Sequence, residues 1–217
     1  MMESTAINRP VPGIAWKPYL LAAGTLGTLV LFMLAWAYPT FPGDEGVLVR
    51  FQALRTGWLD DASVAFDNLG LVWVFLPASF GLLVGLLIAR RHADAALATA
   101  CLTVFGIGAG LKLLIDRPRP EYQLVGPVYT DPSFAIGHAL LAVMMGGFLV
   151  YLVGRSVKPT ALRHAIQAAL ILVVIGMGAS RVYMGLHWPS DVIGSYVFGA
   201  MALVGLIGLR NAVATAR

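Results

Sequence analysis

The sequence predicts an all-α membrane protein, a bundle of six transmembrane helices, and its composition and apolar runs are the reasons. Of the 217 residues, 59% are hydrophobic and only 12% are charged. Soluble domains carry about 25% charged residues. Crossing a bilayer takes about 20 apolar residues. Six runs are close to this length or exceed it, and they cover residues 16–38, 70–89, 94–115, 134–153, 162–179 and 191–209.

These runs predict a single membrane domain at 16–210, with short cytoplasmic tails at 1–15 and 211–217. The first run is too long for a typical cleaved signal peptide, which favours a retained helix. The polar stretch after it carries apolar residues at helical spacing, namely Val47, Phe51, Leu54 and Trp58. This pattern predicts a short amphipathic helix lying in the membrane interface.

Basic residues predict the orientation of the bundle. With the N-terminus inside, the inner segments carry nine Lys and Arg residues and the outer segments carry five. Because basic residues favour the cytoplasmic side, both termini are predicted to be cytoplasmic. The net charge of +4 follows from this distribution. No basic cluster or basic face is present, so the sequence does not predict nucleic-acid binding.

A polar segment between the fifth and sixth runs carries the candidate chemistry, because it holds Arg181, His187 and Asp191. In a helix that begins near Pro189, the Asp191 carboxylate can accept the Nδ1–H of His187 and leave Nε2 free as a nucleophile. Arg181 can hold an anionic substrate against that ring. The structural alternative is that a short loop between membrane helices needs polar residues anyway.

Further ionisable residues lie at the ends of the spans. Lys112 and Arg119 lie near the end of the third span, His138 near the start of the fourth, Arg181 at the end of the fifth, and His187 and Asp191 at the start of the sixth. With the predicted orientation, all of these ends face the non-cytoplasmic side. Since charges at membrane depth are costly, we expect them to share one functional site.

The residue types at this site favour an oxyanion over a metal ion. Lysine and arginine cannot coordinate a divalent cation and would repel it, so we expect no metal and no other cofactor. Cations with histidines suit a tetrahedral phosphate. A phosphate at the start of the fourth span would also gain the helix N-terminus and the Gly137 amide.

Three short motifs contain these residues: Lys112-x6-Arg119-Pro120, Gly137-His138, and Ser180-Arg181-x5-His187-x3-Asp191. Their order and spacing resemble the signature motifs of the type 2 phosphatidic acid phosphatase superfamily. This superfamily also includes bacterial acid phosphatases and vanadium haloperoxidases. The resemblance covers roughly residues 45–210, and the third motif is its most specific part.

The second motif departs from the family pattern Pro-Ser-Gly-His. Alignment on Gly137-His138 puts Ala135 and Ile136 at the Pro and Ser positions. In the alternative alignment, three residues are inserted and Ser133 still serves as the hydroxyl donor to phosphate. We favour the first alignment, because an insertion would displace Ser133 by about one helical turn.

The resemblance implies metal-independent hydrolysis of a lipid phosphate ester or diphosphate. His187 would form a phosphohistidine, Asp191 would orient it, and His138 would act as acid and then as base. The phosphate oxygens would be held by Lys112, Arg119, Arg181 and Gly137. Arg117 is interpreted as a local partner at the mouth of the site and a candidate substrate contact.

Two other functions remain open at this stage. One is a lipid phosphotransferase, and the other is a non-catalytic lipid-phosphate binding or transport protein in which Ile136 marks lost chemistry. Polyprenyl diphosphate, phosphatidic acid, phosphatidylglycerol phosphate and lipid A phosphate all suit a site at the outer ends of the spans. By family analogy, we expect a bacterial inner membrane and a periplasmic or extracellular active site.

Overall fold

The structure is a computed structural model that describes residues 18–126, 131–134 and 137–215. The predicted tail at 1–15 and the two altered positions of the second motif, Ala135 and Ile136, lie outside the described residues. Within the described part, every regular element is a helix. The prediction of an all-α fold is therefore confirmed.

The described residues form eight helices. They are α1 (Pro18–Ala37), α2 (Asp44–Gln52), α3 (Gly57–Leu69), α4 (Val72–Ile88), α5 (His92–Ile115), α6 (Gly137–Ser156), α7 (Thr160–Tyr183) and α8 (Pro189–Thr215). The sixth helix contains a π-helical segment at Ala142–Gly146. The last one continues beyond 210, so the predicted tail at 211–217 is helical as far as Thr215.

A helix lies at each of the six predicted apolar runs, but the helices differ in length. Four of them, α5 to α8, are long and apolar enough to cross a membrane. A fifth results if α3 and α4 are taken as one span bent by 51°. The apolar part of α1 at Ala22–Ala37 is shorter. The described residues thus contain four or five candidate spans, and the number six stays a prediction.

The single amphipathic helix predicted after the first span is not confirmed. Val47 and Phe51 lie in α2, Leu54 lies in the following turn, and Trp58 lies in α3. The helix is interrupted between α2 and α3, because the backbone of Thr56 is extended, with φ −147° and ψ 155°. All four apolar side chains are nevertheless exposed on the surface of the protein.

Two of the four clusters of buried side chains in the described residues join six of the eight helices. The larger lies between α4, α5, α6 and α8 and includes Cys101, Met144 and Phe148, none of which is exposed. The smaller brings α2 against α6, α7 and α8 through Leu48, Ala139, Val182, Trp188 and Val192. This smaller cluster lies beneath the turn between α7 and α8, so it supports the segment that carries His187.

Candidate active site

The turn between α7 and α8 is closed by its own backbone. The amides of Leu186 and His187 both donate to the carbonyl of Arg181, at 3.0 and 3.3 Å. Gly185 has a φ of +74°, and a Cβ there would lie 2.2 Å from the carbonyl oxygen of Tyr122. A side chain would therefore be strained and would strike the neighbouring loop. This tight turn holds Arg181 and His187 in a defined relation.

His187 does not contact Asp191 as the sequence predicted. Its Nδ1 lies 3.9 Å from the nearer carboxylate oxygen, which is too far for a hydrogen bond. Ser133 lies between the two side chains: its Oγ is 3.3 Å from Nδ1 and donates to Asp191. The contact with the carboxylate is thus relayed by a serine hydroxyl. Among the described residues, the Ser133 hydroxyl bonds to His187 and Asp191 and not to Lys112, Arg119 or Arg181.

The partners of the ring define its tautomer. Arg119 Nη1 lies 3.0 Å from Nε2 of His187. Because an arginine can only donate, Nε2 is the acceptor and the proton resides on Nδ1. That proton faces the Ser133 oxygen. The geometry therefore leaves an Nε2 lone pair directed at the cationic side of the site.

Burial lowers the pKa of His187 well below its ordinary value, and the nearby cations Arg119, Arg181 and Lys112 lower it further. Desolvation and like charge both disfavour the imidazolium ion. His187 is consequently neutral near neutral pH. A neutral imidazole, which keeps a lone pair on Nε2, is the form that can act as a nucleophile.

Arg117 is fully engaged within the protein. It forms an ion pair with Asp191, donates to Ser190 Oγ at 2.9 Å and to Pro39 O at 3.0 Å, and pairs with Asp44 at 3.0 Å. Only 1% of its surface is exposed. These contacts agree with the interpretation of Arg117 as a local partner and do not support a substrate contact, because its guanidinium holds the Asp191 carboxylate and the start of α2.

Lys112 and Arg119 converge on one carboxylate, that of Asp131. Lys112 forms an ion pair with it, and Arg119 binds it through Nη2 at 2.8 Å while donating to the Asp131 carbonyl at 2.7 Å. Burial acts to raise the pKa of Asp131, but the two cations outweigh it and the net pKa is lowered. The carboxylate is half exposed at 49%. Two cations therefore hold an anion at the edge of the site, next to His187.

Arg181 and His138 meet at another carboxylate, that of Asp67 near the end of α3. Arg181 forms an ion pair with Asp67, and His138 Nε2 lies 3.6 Å from the same oxygen. Gly70, at the break between α3 and α4, is in close contact with the His138 ring, because a Cβ there would lie 1.9 Å from Cδ2. The His138 ring thus packs against this break, while its side chain keeps an exposure of 19%.

The structure brings six of the seven predicted site residues into two adjoining clusters. One contains Lys112, Arg119, His187 and Asp191, and the other contains His138 and Arg181. The Arg181 carbonyl accepts the amide of His187 at 3.3 Å, so the two clusters adjoin at the turn between α7 and α8. Gly137, the seventh residue, is the first residue of α6.

Sequence reasoning missed four acidic or hydroxyl partners: Asp44, Asp67, Asp131 and the bridging role of Ser133. Asp44 and Asp67 belong to the polar stretch that follows the first apolar run, and both are buried. A buried carboxylate needs a cationic partner, and the excess of cations at the site was the signal available. Among the residues that the structure describes, no group of three or more His, Cys, Asp or Glu side chains is arranged to hold a metal ion.

Comparisons with known proteins identify the family of the chain. A family model described as the PAP2 superfamily matches residues 91–213. Phosphatidylglycerophosphatase B of Bacillus subtilis (strain 168) is 28% identical over 166 residues, covering 73% of this chain and 78% of the relative. An undecaprenyl-diphosphatase of Sulfolobus acidocaldarius is 28% identical over 159 residues, covering 70% of each chain.

Two crystal structures share the fold. The first transmembrane PAP2-type phosphatidylglycerolphosphate phosphatase from Bacillus subtilis has a TM-score of 0.74 at 24% identity, covering 90% of this chain and 98% of the other. Aquifex aeolicus LpxE has a TM-score of 0.60 at 24% identity, covering 77% of this chain and 96% of the other. The similarity therefore extends over nearly the full length of both solved chains.

Proposed function

Because this chain belongs to the PAP2 superfamily, we propose that it is an integral membrane phosphatase that hydrolyses a lipid phosphate ester or diphosphate without a metal ion. Family membership confirms the resemblance to this superfamily. The relatives are named as phosphatases of lipid phosphates. One relative is named for a phosphate monoester and the other for a diphosphate. The proposal covers both kinds of substrate.

One observation carries the proposal. Arg119 contacts His187 Nε2 at 3.0 Å while it and Lys112 hold the Asp131 carboxylate. A carboxylate and a phosphate are bound by the same charge-assisted hydrogen bonds. A phosphate that displaces this carboxylate would have its phosphorus atom beside the Nε2 lone pair.

In the proposed first step, His187 Nε2 attacks phosphorus and the bond to the leaving oxygen breaks. His138 gives its proton to that oxygen, so the alcohol or phosphate leaves and a phosphohistidine remains. Lys112, Arg119, Arg181 and the Gly137 amide hold the three equatorial oxygens as their charge increases. Asp191 orients the nucleophile through Ser133.

In the second step, His138 takes a proton from water, and the hydroxide oxygen attacks the phosphohistidine. The bond from phosphorus to Nε2 breaks, inorganic phosphate is released, and both histidines return to their starting protonation states. The cations around the phosphate supply the charge neutralisation that a metal ion provides in other phosphatases. The donor set therefore suits a metal-independent reaction.

The proposal includes the membrane arrangement. Helix α1 and helices α4 to α8 form the six spans of the 16–210 domain, while α2 and α3 lie at the non-cytoplasmic interface. Both termini are cytoplasmic, and the site opens at the outer face of a bacterial inner membrane. The exposed Trp58 and Leu54, at 69% and 63%, suit such an interfacial position because aromatic and apolar side chains favour it.

The test is phosphate release from a panel of lipid phosphates by the detergent-purified protein in EDTA. We expect release from at least one lipid, no dependence on metal, and loss of release in His187→Ala. His92→Ala is the matched control, because His92 is the exposed first residue of α5, at the end of that helix remote from Lys112.

The two remaining functions are distinguished in the same assay. A phosphotransferase would release little phosphate until an acceptor lipid is added. A binding or transport protein would release none with any lipid, and Ile136→Ser would be the variant that restores activity. Either result would contradict the proposed hydrolysis.

A further inference from the structure

Asp67 is a buried carboxylate for which the mechanism above has no role. It lies near the end of α3, and only 3% of its surface is exposed. Burying a carboxylate costs several kcal/mol unless a partner compensates for the lost hydration. A group retained in such a position requires a structural or a functional reason.

The contacts of Asp67 join three helices. Its Oδ1 forms an ion pair with Arg181 of α7, which is 1% exposed. The same oxygen lies 3.6 Å from Nε2 of His138 in α6. The carboxylate therefore stands between a phosphate-binding cation and the histidine that handles protons in the proposed mechanism.

The backbone around Asp67 restricts the histidine ring. Gly70 follows it at the α3–α4 break, and a Cβ on Gly70 would lie 1.9 Å from Cδ2 and 2.5 Å from Nε2 of His138. Because the ring lies directly against this break, the carboxylate and the ring are held by the same short segment. Their relative position is thus defined by the end of α3.

We propose that Asp67 is the positioning residue for the general acid: it orients His138 through Nε2. This inference rests on the proposed function. A separation of 3.6 Å is too long for a hydrogen bond, but catalytic hydrogen bonds commonly tighten when substrate binds. A phosphate that engages Arg181 leaves the carboxylate to accept the His138 Nε2–H. Asp67 exchanges no proton in either step.

A double-mutant cycle tests this role with the lipid that the parent enzyme hydrolyses best. Asp67→Asn is expected to lower kcat by about 10- to 100-fold, the loss of one hydrogen bond to a charged group. In a His138→Ala background the same substitution is expected to cost less than about threefold, because its effect passes through the missing ring. KM should change little in both backgrounds.

Equal losses in the two backgrounds would overturn the proposal, since a purely structural effect does not depend on His138. An unchanged kcat in Asp67→Asn would overturn it as well. If this variant does not fold, the cycle is measured with Asp67→Glu, which keeps the charge. There again, a loss of kcat seen only when His138 is present supports the role. A loss of the same size in the His138→Ala background overturns it.

Asp94→Asn is the matched control. Asp94 is equally buried, at 2%, and pairs with Arg91 and Arg210 at 2.7 Å. These contacts lie at the opposite end of α5 from Lys112, so the variant should lose stability but keep its kcat per folded molecule. If the parent releases no phosphate from any lipid, both proposals fail. If His187→Ala alone abolishes release, hydrolysis stands and the cycle decides on Asp67.

Discussion

The two halves of the site are built from the same residue types but differ in how tightly they are held. Each half contains an arginine, an aspartate and a histidine. In one, Arg117 and Ser133 hold Asp191, which is not exposed, and the His187 side chain is 4% exposed. In the other, Asp67 has Arg181 beside it, and the His138 side chain is 19% exposed.

This difference suits the two roles that we propose. A nucleophile must be neutral and fixed in direction, which burial and a relay through Ser133 provide. An acid and base must meet the leaving group and then a water molecule, which requires some access from solvent. The comparison therefore suggests that rigidity belongs to the His187 half and accessibility to the His138 half.

The most direct test of these two roles is to replace each histidine in turn. His187→Ala should lower kcat by about 10⁴-fold or more, because the covalent intermediate cannot form. His138→Ala should cost about 10²- to 10⁴-fold, the range of general acid–base catalysis. Labelled phosphate should be trapped on the protein in His138→Ala but not in His187→Ala. Label on the His187 variant would contradict the assigned roles.

The rigidity of the His187 half depends on Arg117. Arg117→Met leaves Asp44 and Asp191 buried without their cation, which should lower the free energy of unfolding by about 3–5 kcal/mol. Denaturant unfolding in detergent micelles measures this. Arg55→Met, which removes an arginine that is 49% exposed, is the control and should have little effect. Equal losses of unfolding free energy in both variants would show that the buried ion pairs of Arg117 contribute no more than an exposed pair.

The relay is tested by Ser133→Ala. The substitution breaks the path from His187 Nδ1 to Asp191 and should lower kcat by about 10- to 100-fold, the value of a hydrogen bond to a charged group. Ser195→Ala, which removes another buried serine hydroxyl from α8, is the control. An unchanged kcat in Ser133→Ala would mean that the carboxylate acts on His187 without the relay.

The neutral state of His187 predicts a pH dependence. Because its pKa is lowered, the nucleophile stays unprotonated below the ordinary histidine value of about 6.5. The acid limb of kcat/KM reports groups of the free enzyme. Its midpoint should therefore lie at a pH below about 6.5. Removing a nearby charge in Lys112→Met should move this limb to higher pH. An acid limb at the ordinary value would contradict the buried, cation-flanked environment.

The smallest effect is expected at the edge of the site. In Asp131→Asn, the anion that a substrate phosphate must displace loses its charge, so KM should fall by about two- to fivefold with kcat unchanged, as expected for a half-exposed ion pair. Inorganic phosphate should inhibit this variant more strongly than the parent. A higher KM would instead mean that Asp131 helps to hold Lys112 and Arg119 in place.

The sequence predicted which ionisable residues lie near one another but not how they pair. Lys112, Arg119, His138, Arg181 and His187 were placed at one end of the bundle from the alternation of the spans alone. The Ser133 bridge was not predictable, because it joins residues separated by 54 positions and depends on how a loop packs against α8. The burial of Asp67 likewise depends on the bend after α3.

The sequence by itself determined the all-α class, the apolar runs and the chemistry available at their ends, because run length and charge cost are local properties that a bilayer imposes. Tertiary structure alone decided that α2 and α3 are separate helices and that Arg117 holds Asp191. It also decided that Asp67 lies between Arg181 and His138. These pairings depend on helix bends and close approaches between segments far apart in the chain, and such distances leave no periodic signal in the sequence.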